Sequence, residues 1–374
     1  MENNTFPQLR ISKNQAILNI RKMQYKANQN NAVFRPHFKT HQSKDIAQWF
    51  KNEQIGYCTV SNLEMAEYFA EHNWNDITIA FPFIPSYLSK TESLATKITL
   101  NIVVSNYESA QYLATYLSVP LKVWMEIDVG YHRTGFDYRN RKSITKSVKS
   151  LNGNTFIHFE GFLSHFGNTY NAGSKDEILR LGKESVAKLL SLREDISPDA
   201  KVSIGDTPYL SIETEPIKVD EIRPGNFVFY DLMQLHAGCC KEEEIAAWMT
   251  CKVAATYPER HEIVIHGGAV HFSKEYLVKD GMKIYGQVAR LQHGKIQIIE
   301  GAYLTSLSQE HGIISNDKVL DFNPEIGDEL MVIPVHSCLT ADLQNFYIQF
   351  PESNMLETKR SYTIQKNLKS YNER

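Results

Sequence analysis

The chain has 374 residues, with 40 lysines and arginines against 43 aspartates and glutamates, for a formal net charge of −3. So weak a net charge excludes an electrostatically driven nucleic-acid or membrane-surface partner, and no apolar run approaches the roughly 20 residues that span a bilayer. A hydrophobic content of 42% with 11% aromatic residues suits a globular protein with room for two domains, or for one large barrel with an appendage.

In chain order, residues 1–10 lack the apolar core of a secretory signal. Residues 12–28, with apolar Ile17, Ile20 and Met23, read as an amphipathic helix. From residue 31 to 231 strand and helix patterns alternate. Strand signals fall at 32–37, 56–60, 76–81, 100–105, 121–128, 159–165, 201–205 and 226–231. Helical patterns lie between them at 43–52, 62–72, 86–97, 107–117, 141–151 and 176–193. Parallel strands need crossover connections of this kind, and eight of them predict closure into a (β/α)₈ TIM barrel. The helix at 12–28 would supply the missing eighth helix. An open doubly wound sheet is the alternative, but the G-x-G-x-x-G fingerprint is absent. After about residue 238 the texture changes. Strand-like runs at 263–265, 284–291, 294–299, 329–334 and 345–350 are punctuated by Gly267-Gly268, Gly281, Gly301 and Gly327-Asp328, which reads as a mainly antiparallel β-domain. The expected fold class is therefore α/β, a barrel over residues 12–238 and a C-terminal β-domain over 239–374, with residues 1–11 available to pack with the latter. The polar stretch 359–374 is expected to fray.

Barrel active sites lie at the C-terminal ends of the strands. There this sequence places His37-Phe38-Lys39-Thr40-His41, then Asp128 to Gly135 with Arg133, then His165 and Tyr170, then Ser203-Ile204-Gly205-Asp206-Thr207-Pro208, then Arg223-Pro224-Gly225-Asn226. A buried lysine is a usable nucleophile and base because its pKa falls on burial, although a lysine after a strand is more often a solvated loop residue. The two glycine-containing turns suit an anion nest, and taken singly they are ordinary turns. His336-Ser337-Cys338 follows the strand signal at 329–334. If the strand continues, residues i and i+2 share a face, so the imidazole and the thiol would point together, as two ligands of an open zinc site do. The plainer reading is a core histidine and a buried cysteine packing as a small hydrophobe. The other cysteines, Cys58, Cys239, Cys240 and Cys251, form no comparable pattern. An odd, irregularly spaced set argues against a disulfide framework and for a reducing, cytoplasmic setting. The polar groups Gln309-Glu310-His311-Gly312 and His266-Gly267-Gly268 to His271 line a site or satisfy turns.

Taken together and in order, these motifs resemble one family. Arg35-Pro36-His37-Phe38-Lys39-Thr40-His41 resembles the pyridoxal-phosphate lysine motif of the D-serine dehydratase and D-threonine aldolase family, fold-type III enzymes with an alanine-racemase-like barrel and a C-terminal β-domain. The resemblance continues through residues 126–135, 165–170, 203–208, 221–231, 310–312 and 334–340. It implies pyridoxal 5′-phosphate as cofactor, with Lys39 as the Schiff-base lysine, Tyr170 as partner of the pyridine nitrogen, Arg133 and His165 as cofactor contacts, and Ser203, Gly205, Thr207, Gly225 and Asn226 as phosphate binders. It also implies His336 and Cys338 as ligands of Zn²⁺ or another divalent metal. D-threonine aldolases tend to carry aspartate at the position of Cys338, which favours elimination chemistry here. The chain departs from the family pattern at Gln42, often lysine, at His266-Gly267-Gly268, usually Asp-Ala-Gly, and at Asp206, often a small hydroxyl residue. The activity so implied is β-elimination on a small-molecule D-3-hydroxy amino acid, giving a 2-oxo acid and ammonia, by a homodimer. The alternatives are retro-aldol cleavage to glycine and an aldehyde, racemisation, and non-catalytic cofactor carriage. The second domain with its His-x-Cys pair argues against the last.

Overall fold

The computed structural model describes residues 6–315 and 322–372. The chain divides into two compact units, Arg21–Lys39 with Ala47–Gly225, and Met1–Ile20 with Thr40–Ile46 and Asn226–Arg374.

The first unit is an α/β barrel. Its parallel strands are Val33–Phe34, Cys58–Val60, Asp76–Pro82, Thr99–Val104, Leu121–Asp128, Ile157–His165, Lys201–Gly205 and Glu221–Ile222. From the second strand onward each pairs with the next, and the last pairs back with the first. The remaining gap, between the first and second strands, is bridged by His37 and Thr59, where the Thr59 N–H donates to the Pro36 carbonyl at 2.9 Å. The eighth strand corrects the sequence reading. Residues 226–231 are not a strand, because Asn226–Val228 forms a 3₁₀ turn. The Asn226 carbonyl there accepts from the N–H groups of Phe229 and Tyr230 at 3.0 and 2.8 Å. An apolar run of that length is compatible with either a buried strand or a buried turn, and the ladder with the first strand goes to Glu221 and Ile222.

A polar network ties the strands together inside this unit. The Arg35 guanidinium donates to Glu221 Oε2 and Asp76 Oδ1, both at 2.6 Å. Ser203 Oγ donates to Glu221 Oε1 at 2.7 Å and accepts from Arg223 Nε at 2.7 Å. Burying these charges carries a desolvation penalty of several kcal/mol per ion, which only this mutual pairing offsets.

The second unit is built on an antiparallel sheet. Glu262–His266, His311–Ser315, Lys295–Leu307, Gly286–Gln292, Glu329–Pro334 and Ala247–Tyr257 follow one another across it, and the last of these pairs back with the first. Closing the sheet in this way leaves none of those six strands as an open edge. Gln8–Ser12 continues from Ala247–Tyr257 and is followed by Phe346–Phe350 and Met355–Glu357. Residues 359–372 do not fray. Lys359–Asn372 is a helix whose first N–H donates to the Gln42 carbonyl at 2.7 Å, and residues 373–374 lie outside the described residues. Among the described residues, no helix is long and apolar enough to cross a membrane.

Candidate active site

Lys39 lies in the 3₁₀ turn Phe38–Thr40 and its side chain is exposed. Its neighbour Phe38 is fully buried, with ring centroids 5.0 Å from Phe50, 5.0 Å from Phe69 and 4.7 Å from Trp74. Aromatic contacts in this range add to simple area burial. The wedge therefore fixes the backbone that presents Lys39. His37 Nδ1 accepts from the Lys39 N–H at 3.3 Å.

Two histidines of this unit, His37 and His165, are held neutral. Burial lowers the pKa of His37 well below its usual value, and the charges of Lys39, Arg223, His165 and Arg133 lower it further. Burial, then Lys39, takes His165 down to about 3. His165 Nδ1 pairs with the Gly205 carbonyl, so that nitrogen carries the proton and Nε2 keeps its lone pair. Tyr170 stands 6.0 Å from the His165 ring and Tyr131 5.7 Å from it, and Arg133 lies over the Tyr131 ring at 5.4 Å. The structure thus groups Arg133, His165 and Tyr170, and adds Tyr131, which sequence reasoning passed over. The signal for Tyr131 was Gly167. A Cβ at that position would lie 2.3 Å from the Tyr131 ring. Glu126 was also missed. It is a buried carboxylate that accepts from Thr134 at 2.9 Å, and burial raises its pKa.

The turn at residues 205–207 opens the helix Thr207–Ile212. Thr207 Oγ1 is buried and has no hydrogen-bond partner in the protein, as do Asn168 Oδ1 and Glu126 Oε2. Such atoms ordinarily mark a missing ligand or water. Asp206 caps the helix. It accepts from the Tyr209 N–H and from Thr169 Oγ1, both at 2.7 Å, and burial pushes its pKa up to about 7. Ser203 does not belong to this turn, since its hydroxyl is committed to Glu221 and Arg223. Arg223 opens the second glycine-containing turn read from the sequence. It fills the space that Gly205 leaves, where a Cβ would lie 3.0 Å from its Nη1.

In the second unit, Asn226, Asp231, Ser337 and Cys338 form one buried cluster. Asp231 Oδ2 accepts from the Ser337 N–H at 2.9 Å, from Ser337 Oγ at 3.2 Å and from Asn226 Nδ2 at 2.5 Å. It also faces His336 Nδ1 at 3.5 Å. Cys338 Sγ lies 3.3 Å from Thr40 Oγ1 and 3.7 Å from Asn226 Nδ2. Here too the sequence reading is corrected. The strand ends at Pro334, His336 caps the helix Ser337–Leu343 and Cys338 stands in its first turn. Alternation along a strand therefore does not set their directions.

A lysine-bearing α/β barrel joined to an antiparallel β-unit that carries a His-x-Cys pair defines the alanine-racemase class of fold. Residues 11–232 match the family model of the alanine racemase N-terminal domain, and residues 246–350 match that of the serine dehydratase domain. The chain belongs to the alanine-racemase-like family that contains the D-serine dehydratases and D-threonine aldolases. It is 28% identical over 353 residues to a D-serine dehydratase of Dictyostelium discoideum, a match covering 86% of this chain and 87% of that one. It superposes with a TM-score of 0.87 on D-threo-3-hydroxyaspartate dehydratase from Delftia sp. HT23, at 25% identity over 95% of this chain and 98% of that one. A cysteine-to-alanine variant of that dehydratase has been solved in a metal-free form. D-threonine aldolase from Filomicrobium marinum shares the fold at 18% identity, with a TM-score of 0.81 over 96% of this chain and 95% of that one.

Proposed function

We propose that this protein is a pyridoxal-phosphate- and zinc-dependent lyase that removes water from a D-3-hydroxy amino acid, giving a 2-oxo acid and ammonia. The observation that carries the reading is the cysteine at 338, held by Thr40 and Asn226 beside the Asp231 carboxylate. Family relatives named as dehydratases support it. So does the metal-free form in which the Delftia enzyme's cysteine variant was solved, since a metal-free form implies a metal site in that enzyme.

The residues fit the cofactor. Lys39 would hold it covalently, Tyr170 would meet its ring nitrogen, and Arg133 and neutral His165 would flank its ring. Gly205, Thr207 and Gly225 would receive its phosphate, for which the buried, unpartnered Thr207 hydroxyl is a ready donor. Asn226 would serve through its main-chain N–H, since its side-chain amide is committed to Asp231. When bound, pyridoxal phosphate supplies an electron sink for the bond broken at Cα. Lys39 Nζ would take the Cα proton. His336 and Cys338 would ligate zinc, with the Asp231 carboxylate orienting the imidazole as metal-site carboxylates do, and the ion would supply Lewis acidity to the departing hydroxyl group. The balance is loss of water across Cα–Cβ, then hydrolysis of the enamine to 2-oxo acid and ammonia. We place this activity in a cytoplasmic homodimer.

The test is a turnover assay of cofactor- and zinc-loaded protein on D-serine, D-threonine and D-3-hydroxyaspartate, measuring ammonia, 2-oxo acid and aldehyde, with and without a chelator. Chelator-sensitive 2-oxo acid and ammonia support the reading. Glycine and aldehyde without ammonia overturn it in favour of retro-aldol cleavage, and bound cofactor without turnover favours a carrier.

A further inference from the structure

The antiparallel unit holds a second tight group of donor side chains. His266 ends the strand Glu262–His266, His271 lies in the helix Ala269–Phe272, and Glu310 immediately precedes the strand His311–Ser315. One ligand atom from each lies within 4.8 Å of the others. Glu310 Oε2 is 3.5 Å from His266 Nε2 and 3.8 Å from His271 Nε2. Those separations are too long for hydrogen bonds, which fall at roughly 2.7–3.2 Å. They approach the edge of a tetrahedron, about 3.3 Å, spanned by N and O ligands roughly 2.0–2.1 Å from zinc. The two imidazole planes are perpendicular, at 89°, with centroids 5.7 Å apart, and the Nε2 atoms of both rings lie near the same Glu310 oxygen.

The backbone is built to keep the group together. A Cβ on Gly268 would lie 2.2 Å from the Gln309 carbonyl oxygen, so only glycine lets the two loops approach this closely. The Gly267 N–H donates to the Glu310 carbonyl at 2.9 Å and the Ala269 N–H to the Ser308 carbonyl at 2.8 Å. Gln344 Nε2 braces the His271 carbonyl at 3.1 Å. His271 is largely covered, with 18% of its side chain accessible, whereas His266 and Glu310 are about half open at 47% and 49%, so an ion from solvent reaches all three.

We propose that His266, His271 and Glu310 form a metal site separate from His336 and Cys338, binding a borderline divalent cation such as zinc and leaving one coordination position open to water or a small anion. Two imidazoles and a carboxylate are a donor set of open zinc sites, and the nitrogen ligands select against magnesium and calcium. The Gly268 N–H donates to His271 Nδ1 at 3.2 Å, which puts the ring proton on Nε2. Binding a cation at Nε2 moves that proton to Nδ1 and opens this long hydrogen bond.

The inference stands independently of the lyase reading, and zinc stoichiometry separates the two. Full-length protein is dialysed against micromolar zinc and analysed for metal as wild type, Cys338→Ala, Glu310→Gln and the double variant. Cys338→Ala is expected to retain one zinc per chain, and the double variant to bind it about tenfold or more weakly. Cobalt in Cys338→Ala should give d–d bands without a thiolate charge-transfer band. His266→Ala, at a half-open position, checks the loss independently of any folding defect. One zinc in both wild type and Cys338→Ala supports this site and removes the assignment of His336 and Cys338. A Cys338→Ala chain that binds no zinc, or a double variant that binds it as tightly as Cys338→Ala does, overturns the proposal.

Discussion

Thr40 Oγ1 lies 3.3 Å from Cys338 Sγ, across 298 residues of chain. Thr40 is peptide-bonded to Lys39, so the residue after the lysine touches the sulfur of the His-Ser-Cys motif. Asn226 Nδ2 also lies 3.7 Å from the sulfur. Polar groups thus reach a sulfur that is otherwise buried.

Cys338→Ala should therefore leave cofactor binding intact and lower turnover by about 100-fold or more, the effect of losing several kcal/mol of metal assistance. Steady-state kinetics on whichever of D-serine, D-threonine and D-3-hydroxyaspartate is turned over measures it. Chelator-treated wild type should show the same loss and recover on adding zinc, whereas the variant should not recover. Turnover equal to that of wild type would remove the metal role.

Lys39→Ala should abolish covalent capture of the cofactor. Borohydride reduction followed by peptide mass analysis should find the pyridoxyl mass on the Lys39 peptide of the wild type alone. Turnover should fall by about 10²–10⁴-fold, the usual contribution of a positioned acid–base group. A labelled peptide elsewhere in the chain would show that Lys39 was misassigned.

Arg35 is the keystone of the barrel's polar network. Its side chain is 6% accessible, and its pair with Glu221, itself 5% accessible, is 2.6 Å long. Arg35→Met would leave that carboxylate buried, with Arg223 as its remaining cation at 3.8 Å. The expected cost is about 3–5 kcal/mol, as for other broken buried pairs, read as a drop in the urea midpoint. Arg35→Met combined with Glu221→Gln should recover part of it.

Asp206 makes stability depend on pH with a definite sign. Its carboxyl is pushed up to about 7 by burial, whereas in the unfolded chain it titrates near 3.9. Between about pH 4 and 7 the folded protein keeps a proton that the unfolded chain has lost. Rising pH therefore removes up to about 1.4 kcal/mol of stability per pH unit across that window. Asp206→Asn keeps the shape and the helix cap but cannot ionise. Its stability relative to wild type should improve from pH 4.5 to pH 7.5 in urea unfolding, and a constant difference would refute the shift. His41 works in the opposite sense. Burial takes it to about 3, so its contribution is present above about pH 6.5 and is lost as pH falls toward 3. Comparing the variant with wild type at each pH cancels that term.

Much of this molecule was legible in its residues. Strand and helix periods are local properties, and the crossover spacing dictated a parallel sheet. The lysine motif, the turn at 205–207 and the His-x-Cys pair could be picked out because each is a short run of unusual residue types. The reading failed where one local pattern serves two structures. The run Asn226-Phe-Val-Phe-Tyr-Asp231 is as apolar as a buried strand, yet it turns on the Asn226 carbonyl. His336 and Cys338 were placed on a continuing strand, but a helix begins at Ser337.

Partners were the remainder. Ser203 looks like a phosphate binder beside Gly205 until Glu221 and Arg223 claim its hydroxyl. Phe38 gains its place as a wedge from Phe50, Phe69 and Trp74, which close around it. His266 and His271 gain Glu310 only because Gly268 admits the Gln309 backbone. The sequence by itself determined the alternation of elements, the class of fold and the residue types available for chemistry, since hydrophobic period and turn preference act over a few residues. Only the tertiary structure decided which donor meets which acceptor and which charge is buried, because those energies arise between groups far apart in the chain and exist only once the sheets have closed.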